Sequence, residues 1–199
     1  MSPTTILTPV PRQPREEAAG AIHHVISKGN GGAAIVHDDR DRRTFLSRLG
    51  RAVERYRWNC LAYCLLDNHV HLVLQTREPN LGAGMQWLQS AYAQDLNHRH
   101  KRTGHVFGGR FYSVRLADDG HLVAALVYVW MNPVRAGVAK RPETWPWCSY
   151  AATVGLGSAP ASLDRQAALE LFGLQPTAAR RVLADAVEEA LAREPRRER

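Results

Sequence analysis

Asn68-His69-Val70-His71-Leu72 sets two imidazoles two residues apart. On a β-strand, residues i and i+2 share a face, so His69 and His71 converge on one point. That is suitable geometry for gripping a single cation. Further along, Tyr128 and Asn132 stand four residues apart, one turn of a helix, which makes a phenol and a carboxamide neighbours. Two imidazole ligands, a third oxygen ligand and a phenol nucleophile are the parts needed for metal-assisted phosphoryl transfer through a covalent tyrosine step. Each motif also has a plainer reading. The histidines could be polar residues on a half-exposed strand. Tyr128 could be a core aromatic bonded to a carbonyl, and Asn132 a C-cap before Pro133.

The strand that must carry the histidines reads over 69–76, where Val70, Leu72 and Leu74 form an apolar face opposite His69, His71, Val73 and Gln75. It returns from a strand over 58–66 through the Asp67-Asn68 turn. The helix that must carry the phenol begins after Asp118 or Asp119. His121, Ala125, Tyr128 and Asn132, at i, i+4, i+7 and i+11, form one stripe on an otherwise apolar cylinder. Such a helix is buried on most sides and turns its stripe toward something polar. Pro133 and Gly137 are expected to end it.

Around these lie a strand over 23–27, an amphipathic helix over 38–56, a second over 81–100 and a strand over 111–116. The order β-α-β-β-α-β followed by a helix predicts an α+β fold. It is a ferredoxin-like or RRM-like antiparallel sheet, with helices on one face and the other face free for a ligand or a further helix. Residues 1–20, rich in proline and charge, read as a loose arm. Residues 21–150 read as the chemical domain, and 151–199 as a helical extension split near Pro176, with a charged tail.

A chain of 199 residues has ample length for one core and a short addition. No run approaches the roughly 18 apolar residues that span a bilayer, and residues 1–20 lack the pattern of a secretory signal, so a cytoplasmic protein with no membrane partner is expected. Three cysteines, Cys60, Cys64 and Cys148, are too few for a disulfide framework and read as buried thiols. No C-x-x-C pair accompanies them, which argues against structural zinc. A net charge of +7 favours a polyanionic partner. The glycines at 29–32 lack the Lys-Ser/Thr of a nucleotide-binding loop, and a transesterification needs no ATP.

Taken together, four strings resemble the single-tyrosine HUH transposases, and within them the bacterial REP-associated tyrosine transposases of the IS200-like group. They are Asn68 to Leu72, Gly104-His105-Val106-Phe107 with Gly109-Arg110-Phe111, Tyr128 to Gly137, and Trp147-Cys148-Ser149-Tyr150. The resemblance covers residues 21–150, and Asn132-Pro133-Val134-Arg135-Ala136-Gly137 is its most specific part. It implies that His69 and His71 are paired metal ligands, Tyr128 the nucleophile and Asn132 the third ligand. It further implies cleavage of single-stranded DNA beside a hairpin, a 5′-phosphotyrosine link and a free 3′-OH. Mg²⁺ or Mn²⁺ suits the open oxygen positions of such a site. A bacterial, nucleoid-associated protein acting as a monomer or homodimer on REP-like hairpins follows from the same resemblance. The chain departs from the pattern at Asp67, Gly109 and His121, which bears on substrate preference more than on chemistry.

Basic and stacking residues around the free sheet face are the expected DNA contacts: Lys28, Asn30, Arg99, Lys101, Arg102, Arg110, Tyr112 and Arg115. His121, two turns before Tyr128, is a candidate proton relay. Two rivals stand beside this reading. A non-catalytic RRM-like nucleic-acid-binding module predicts stacking aromatics on the central strands, and a structural metal-binding protein predicts a fourth strong ligand.

Overall fold

The computed structural model describes residues 17–194. Most of the expected 1–20 arm and the last five residues of the charged tail lie outside them. Four strands, β1 (Ile22–Lys28), β2 (Trp58–Leu65), β3 (His69–Thr76) and β4 (Tyr112–Leu116), form one sheet in the order β2-β3-β1-β4, with every neighbouring pair antiparallel. Helices α1 (Asp39–Tyr56) and α2 (Leu81–Arg99) provide the two crossovers. The predicted ferredoxin-like sheet is therefore present, with each strand within about two residues of its expected bounds.

Alternation along the strands builds two cores. Val25, Val70, Leu72 and Leu74 face α1 and α2, where they meet Phe45, Leu49, Leu88 and Tyr92. The helix α1 starts where Asp38 accepts the backbone N–H groups of Arg40 and Asp41. On the opposite face, Val73, Leu61 and Ala62 meet α3 (Asp119–Arg135) through Leu122, Leu126, Val129 and Trp130. The further helix expected on this face is therefore α3, and the face stays open only toward β4, where Tyr112 and Val114 are exposed. Three further helices, α4 (Tyr150–Val154), α5 (Arg165–Glu170) and α6 (Pro176–Arg193), complete this second layer. Ala168, Leu169, Ala179, Leu183 and Val187 are buried in the same core as α3. The C-terminal helices thus share the core that seats the phenol-bearing helix.

The segment after α3 closes the free edge of β2. Leu65 donates its backbone N–H to Trp147 at 2.9 Å and Ser149 donates to Tyr63 at 2.9 Å, so β2 offers little template for another chain. Ser149 Oγ accepts both the Tyr63 N–H (2.9 Å) and the Trp130 indole N–H (3.0 Å), which pins α3 to the sheet. Trp145 donates its indole N–H to Leu65 O at 3.0 Å. All three cysteines are buried as free thiols.

One glycine on α2 is dictated by packing. A Cβ on Gly84 would lie 2.0 Å from the Trp58 ring, whose indole N–H is fixed on Asn80 Oδ1 at 2.7 Å. Gly84→Ala is expected to destabilise the fold by about 1–3 kcal/mol in a urea titration, despite the better helix propensity of alanine. An unchanged or raised midpoint would contradict this packing.

Candidate active site

His69 and His71 project from β3 onto the α3 face, and Tyr128 projects from the stripe of α3 toward them. The His71 and Tyr128 rings lie 5.5 Å apart, centre to centre, at a steep angle. His69 and His71 are 5.0 Å apart. The apolar side of α3 is buried and Tyr128 is 43% exposed, so the phenol is open to a ligand while its backbone is fixed. This disposes of the core-aromatic reading of Tyr128.

A third imidazole, which the sequence reading passed over, completes the arrangement. His24 on β1 pairs in register with Val73, next to His71 on the same face. Its Nε2 lies 3.0 Å from His71 Nδ1, and its ring is 5.5 Å from Tyr128. Asn68 does the equivalent work for His69. It accepts from His69 Nδ1 at 2.7 Å, while its own amide donates to Gly32 O at 3.3 Å. A carboxamide oxygen only accepts, so His69 carries its proton on Nδ1 and a lone pair on Nε2. If His71 Nδ1 donates to His24, it too keeps a lone pair on Nε2. Ligating histidines are commonly oriented in this way by a partner on the other nitrogen.

Burial, followed by the neighbouring imidazoles and Lys28, pushes the His71 pKa down to about 3. His69 is lowered by burial and then by Lys28, and His24 by burial. All three are therefore neutral at physiological pH, the protonation state a metal ligand needs.

Asn132 is buried one turn after Tyr128. Its Nδ2 donates to Tyr128 O at 2.8 Å and reaches Val129 O at 3.4 Å. Val129 O is the carbonyl that Pro133, lacking an N–H, leaves without its helical donor. The expectation that Pro133 ends the helix is corrected here: α3 continues to Arg135 with Pro133 inside it. With the amide nitrogen so committed, Oδ1 is the end left to accept or ligate. Among the described residues no group of three or more His, Cys, Asp or Glu side chains forms a metal site by itself. A cation here would need the carboxamide in addition to the two imidazoles.

The same stripe continues one turn further to Arg135, at i+7 from Tyr128, whose guanidinium carbon lies 5.0 Å from the centre of the phenol ring. Its spacing from Tyr128 was visible in the sequence, but its contact was not recognised.

The expected DNA contacts divide. Lys28, Asn30, Arg110 and Tyr112 line one cleft, together with Ile26 and glycines 29, 31, 108 and 109. Lys28 stands opposite His69 in register, and Tyr112 opposite Ile26, on the face of Tyr128. Arg115 lies opposite His23, so alternation turns it to the α1/α2 face, away from the phenol. Arg99 is held by Asp38 and Asp41 at the start of α1, and Arg102 lies 2.9 Å from His37 Nε2. Lys101 is exposed just past α2. These three sit apart from the cleft. His121 is bound to the Asp118 carboxylate at 2.7 Å, and none of its hydrogen bonds or ring contacts among the described residues reaches Tyr128. Asp118 also accepts the His121 backbone N–H at 2.9 Å and so caps the helix, an arrangement that gives the proton-relay idea no support.

Comparison with known proteins adds a family to this geometry. The model of the IS200-like transposase family matches residues 20–129, a span that holds both histidines and the tyrosine. The chain belongs to the IS200-like transposase family. A Haemophilus influenzae protein provisionally named a REP-associated tyrosine transposase is 26% identical over 117 residues, 53% of this chain. That match spans 66% of the relative's own length. A solved structure of a REP-associated tyrosine transposase bound to a REP hairpin superposes with a TM-score of 0.64 at 14% identity, covering 77% of this chain and 90% of the other. It establishes the likeness of fold. No helix among the described residues is long and apolar enough to cross a membrane.

The lowered histidine pKa values have a consequence for stability. A depressed folded-state pKa means that the unfolded chain binds more protons between about pH 3 and 6.5, so stability is full above 6.5 and declines as pH falls through that window. Thermal melts in a chelating buffer are expected to lose less Tm between pH 7 and pH 4 for His71→Gln than for the parent. Parallel losses in the two proteins would show that His71 is not held neutral by the fold.

Proposed function

We propose that the protein is a metal-dependent single-stranded DNA endonuclease and strand transferase that cuts beside DNA hairpins through a 5′-phosphotyrosine intermediate. The observation that carries this reading is the meeting of Tyr128 with His71, from a helix and a strand 57 positions apart, at 5.5 Å between rings. Family membership supports the reaction class. The REP hairpin bound by the solved neighbour supports hairpin-bearing DNA as the substrate class.

In this mechanism the Tyr128 hydroxyl attacks the scissile phosphorus. A P–O bond to the phenol oxygen forms and the bond to the 3′ oxygen breaks; the phenol loses its proton and the departing 3′-OH gains one. Attack by a 3′-OH on the phosphotyrosine reverses the exchange, so bond energy is conserved and no nucleotide cofactor is needed. His69 and His71, each through Nε2, and Asn132 through Oδ1, are the groups that fit a divalent cation: two neutral nitrogens whose other ring atoms are occupied, and one amide oxygen. Such an ion, Mg²⁺ or Mn²⁺, would neutralise charge on the non-bridging oxygens and favour in-line geometry.

The chain's own residues bind and orient. Lys28, beside His69, attracts the phosphate backbone. Tyr112, 53% exposed on the same face, offers a ring on which an unpaired base can stack. Asn30 and Arg110 in the adjoining cleft contact the strand further out. Because nucleophile and imidazoles come from one chain, a monomer carries a whole site. A cytoplasmic, nucleoid-associated location follows from the substrate. A non-catalytic RRM-like module is disfavoured, since imidazoles, not stacking aromatics, occupy this face of the central strands.

The deciding assay incubates the protein with end-labelled, hairpin-bearing single-stranded DNA and Mg²⁺ or Mn²⁺, then resolves covalent adducts on a denaturing gel. Wild type is expected to form an adduct, Tyr128→Phe none, and His71→Ala a yield lower by about 10²-fold or more. An adduct of equal yield from Tyr128→Phe, or none from wild type across a broad panel of hairpins, would refute the reading.

A further inference from the structure

Arg135 lies outside the span matched by the family model, yet it faces the nucleophile. Three of its features are independent of one another. Tyr128, Asn132 and Arg135, at i, i+4 and i+7, lie on one face of α3. The guanidinium carbon stands 5.0 Å from the centre of the phenol ring. The guanidinium is also incompletely satisfied: Nε donates to Glu194 Oε1 at 2.7 Å, but Nη1 is buried with no hydrogen-bond partner among the described residues. A buried donor left without an acceptor is costly, on the order of 1–3 kcal/mol, and calls for a functional partner, an ion or a water; the Arg135 side chain as a whole stays 35% exposed and so within reach of one. Beside a phenol that takes up a phosphoryl group, the matching acceptor is a phosphate oxygen, which a planar guanidinium suits better than an ammonium does.

Glu194 is the second half of the arrangement. It follows directly on α6, which packs against α3 in the second core, and its carboxylate is only 27% exposed. Holding Nε by the carboxylate restricts rotation of the long arginine side chain and leaves the Nη edge to a ligand. The C-terminal helix would otherwise have no chemical part in the site.

We propose that Arg135 binds a non-bridging oxygen of the phosphate that becomes joined to Tyr128, and that Glu194 at the end of α6 is its positioning residue. This rests on the tyrosine-transfer reading given above. It adds a catalytic cation supplied by the chain, and it makes the C-terminal extension part of the active site.

The test uses the full-length chain and hairpin-bearing single strands whose scissile phosphate is unmodified or an Rp or Sp phosphorothioate. Single-turnover adduct formation is measured for wild type, Arg135→Lys, Arg135→Gln and Glu194→Gln, each checked for folding by circular dichroism and for hairpin affinity by anisotropy. With affinity within about twofold of wild type, Arg135→Gln is expected to be slower by about 10²–10³-fold and Arg135→Lys by less, as for loss of one transition-state donor. Glu194→Gln is expected to be slower by about tenfold, the scale of an outer partner that orients a ligand. The ratio of Rp to Sp rates should change about fivefold or more in Arg135→Gln, since the lost contact is to one oxygen only. A merely structural role at the helix end would slow both diastereomers alike and leave that ratio unchanged, which would overturn the proposal. So would an Arg135→Gln rate within threefold of wild type. If Arg135→Gln does not fold, Glu194→Gln decides, and an unaltered rate there refutes the positioning. Absence of any wild-type adduct would remove the underlying reading, whereas a normal wild-type adduct with indifferent variants removes only this inference.

Discussion

The apolar side of α3 has one rotational setting against the sheet, and the chemistry depends on it. Leu122, Leu126, Val129, Trp130 and Met131 are buried at or below 2% exposure against β2, β3 and the C-terminal helices. Each such side chain is worth about 1.5–3 kcal/mol when fully buried. Turning the helix by one residue, or 100°, would expose most of them and bury Tyr128. Ser149, bonded to the Trp130 indole and to β2, fixes the remaining freedom along the axis. The phenol therefore stands opposite His71 without any attraction between the two having to place it. Hydrophobic burial does the positioning, and the polar stripe is what remains after that burial is satisfied.

Electrostatics then set what the site can accept. Among the described residues, the other side chains bonded to or packed on the two β3 histidines are Asn68, His24 and Tyr128, none of them acidic. Lys28 beside His69 and Arg135 over the Tyr128 ring bring positive charge, and Glu194 is already engaged with the latter. A site with neutral ligands and cationic flanks has little affinity for water-rich cations by itself. It gains that affinity when an anionic phosphate arrives with them. Two imidazoles and one carboxamide, in place of a carboxylate cage, are consistent with a site in which DNA supplies the negative charge.

Much of the fold was legible because its signals are periodic. The alternation of Val70, Leu72 and Leu74 with His69 and His71 gave the faces of β3 directly, and the stripe on α3 gave the orientation of Tyr128 and Asn132. His24 was not legible, because a lone histidine acquires a role only when β1 is known to lie beside β3 in a register that sets it next to His71. Arg99 misled for the mirror-image reason. Its place beside a basic loop suggested solvent and phosphate, but Asp38 and Asp41, some sixty positions away, neutralise it at the start of α1. Periodicity reveals which face a residue occupies; it does not reveal what the fold brings to that face.

Pro133 shows how two local rules can be read separately and still belong together. Proline inside a helix removes a donor and leaves a carbonyl bare, which is why it was expected to end α3. Asn132 supplies the missing donor from its side chain, bonding Tyr128 O and reaching Val129 O, so the helix continues for another turn. Aspartate at 132 would be isosteric but has no N–H, and its charge would face carbonyl lone pairs. Glutamine would have the donor but places it one methylene further out. An amide of this length can repair the helix with its nitrogen and still leave its oxygen to accept. The break that proline introduces thus fixes the orientation of the candidate third ligand, and the turn that survives beyond it carries Arg135 back over the phenol.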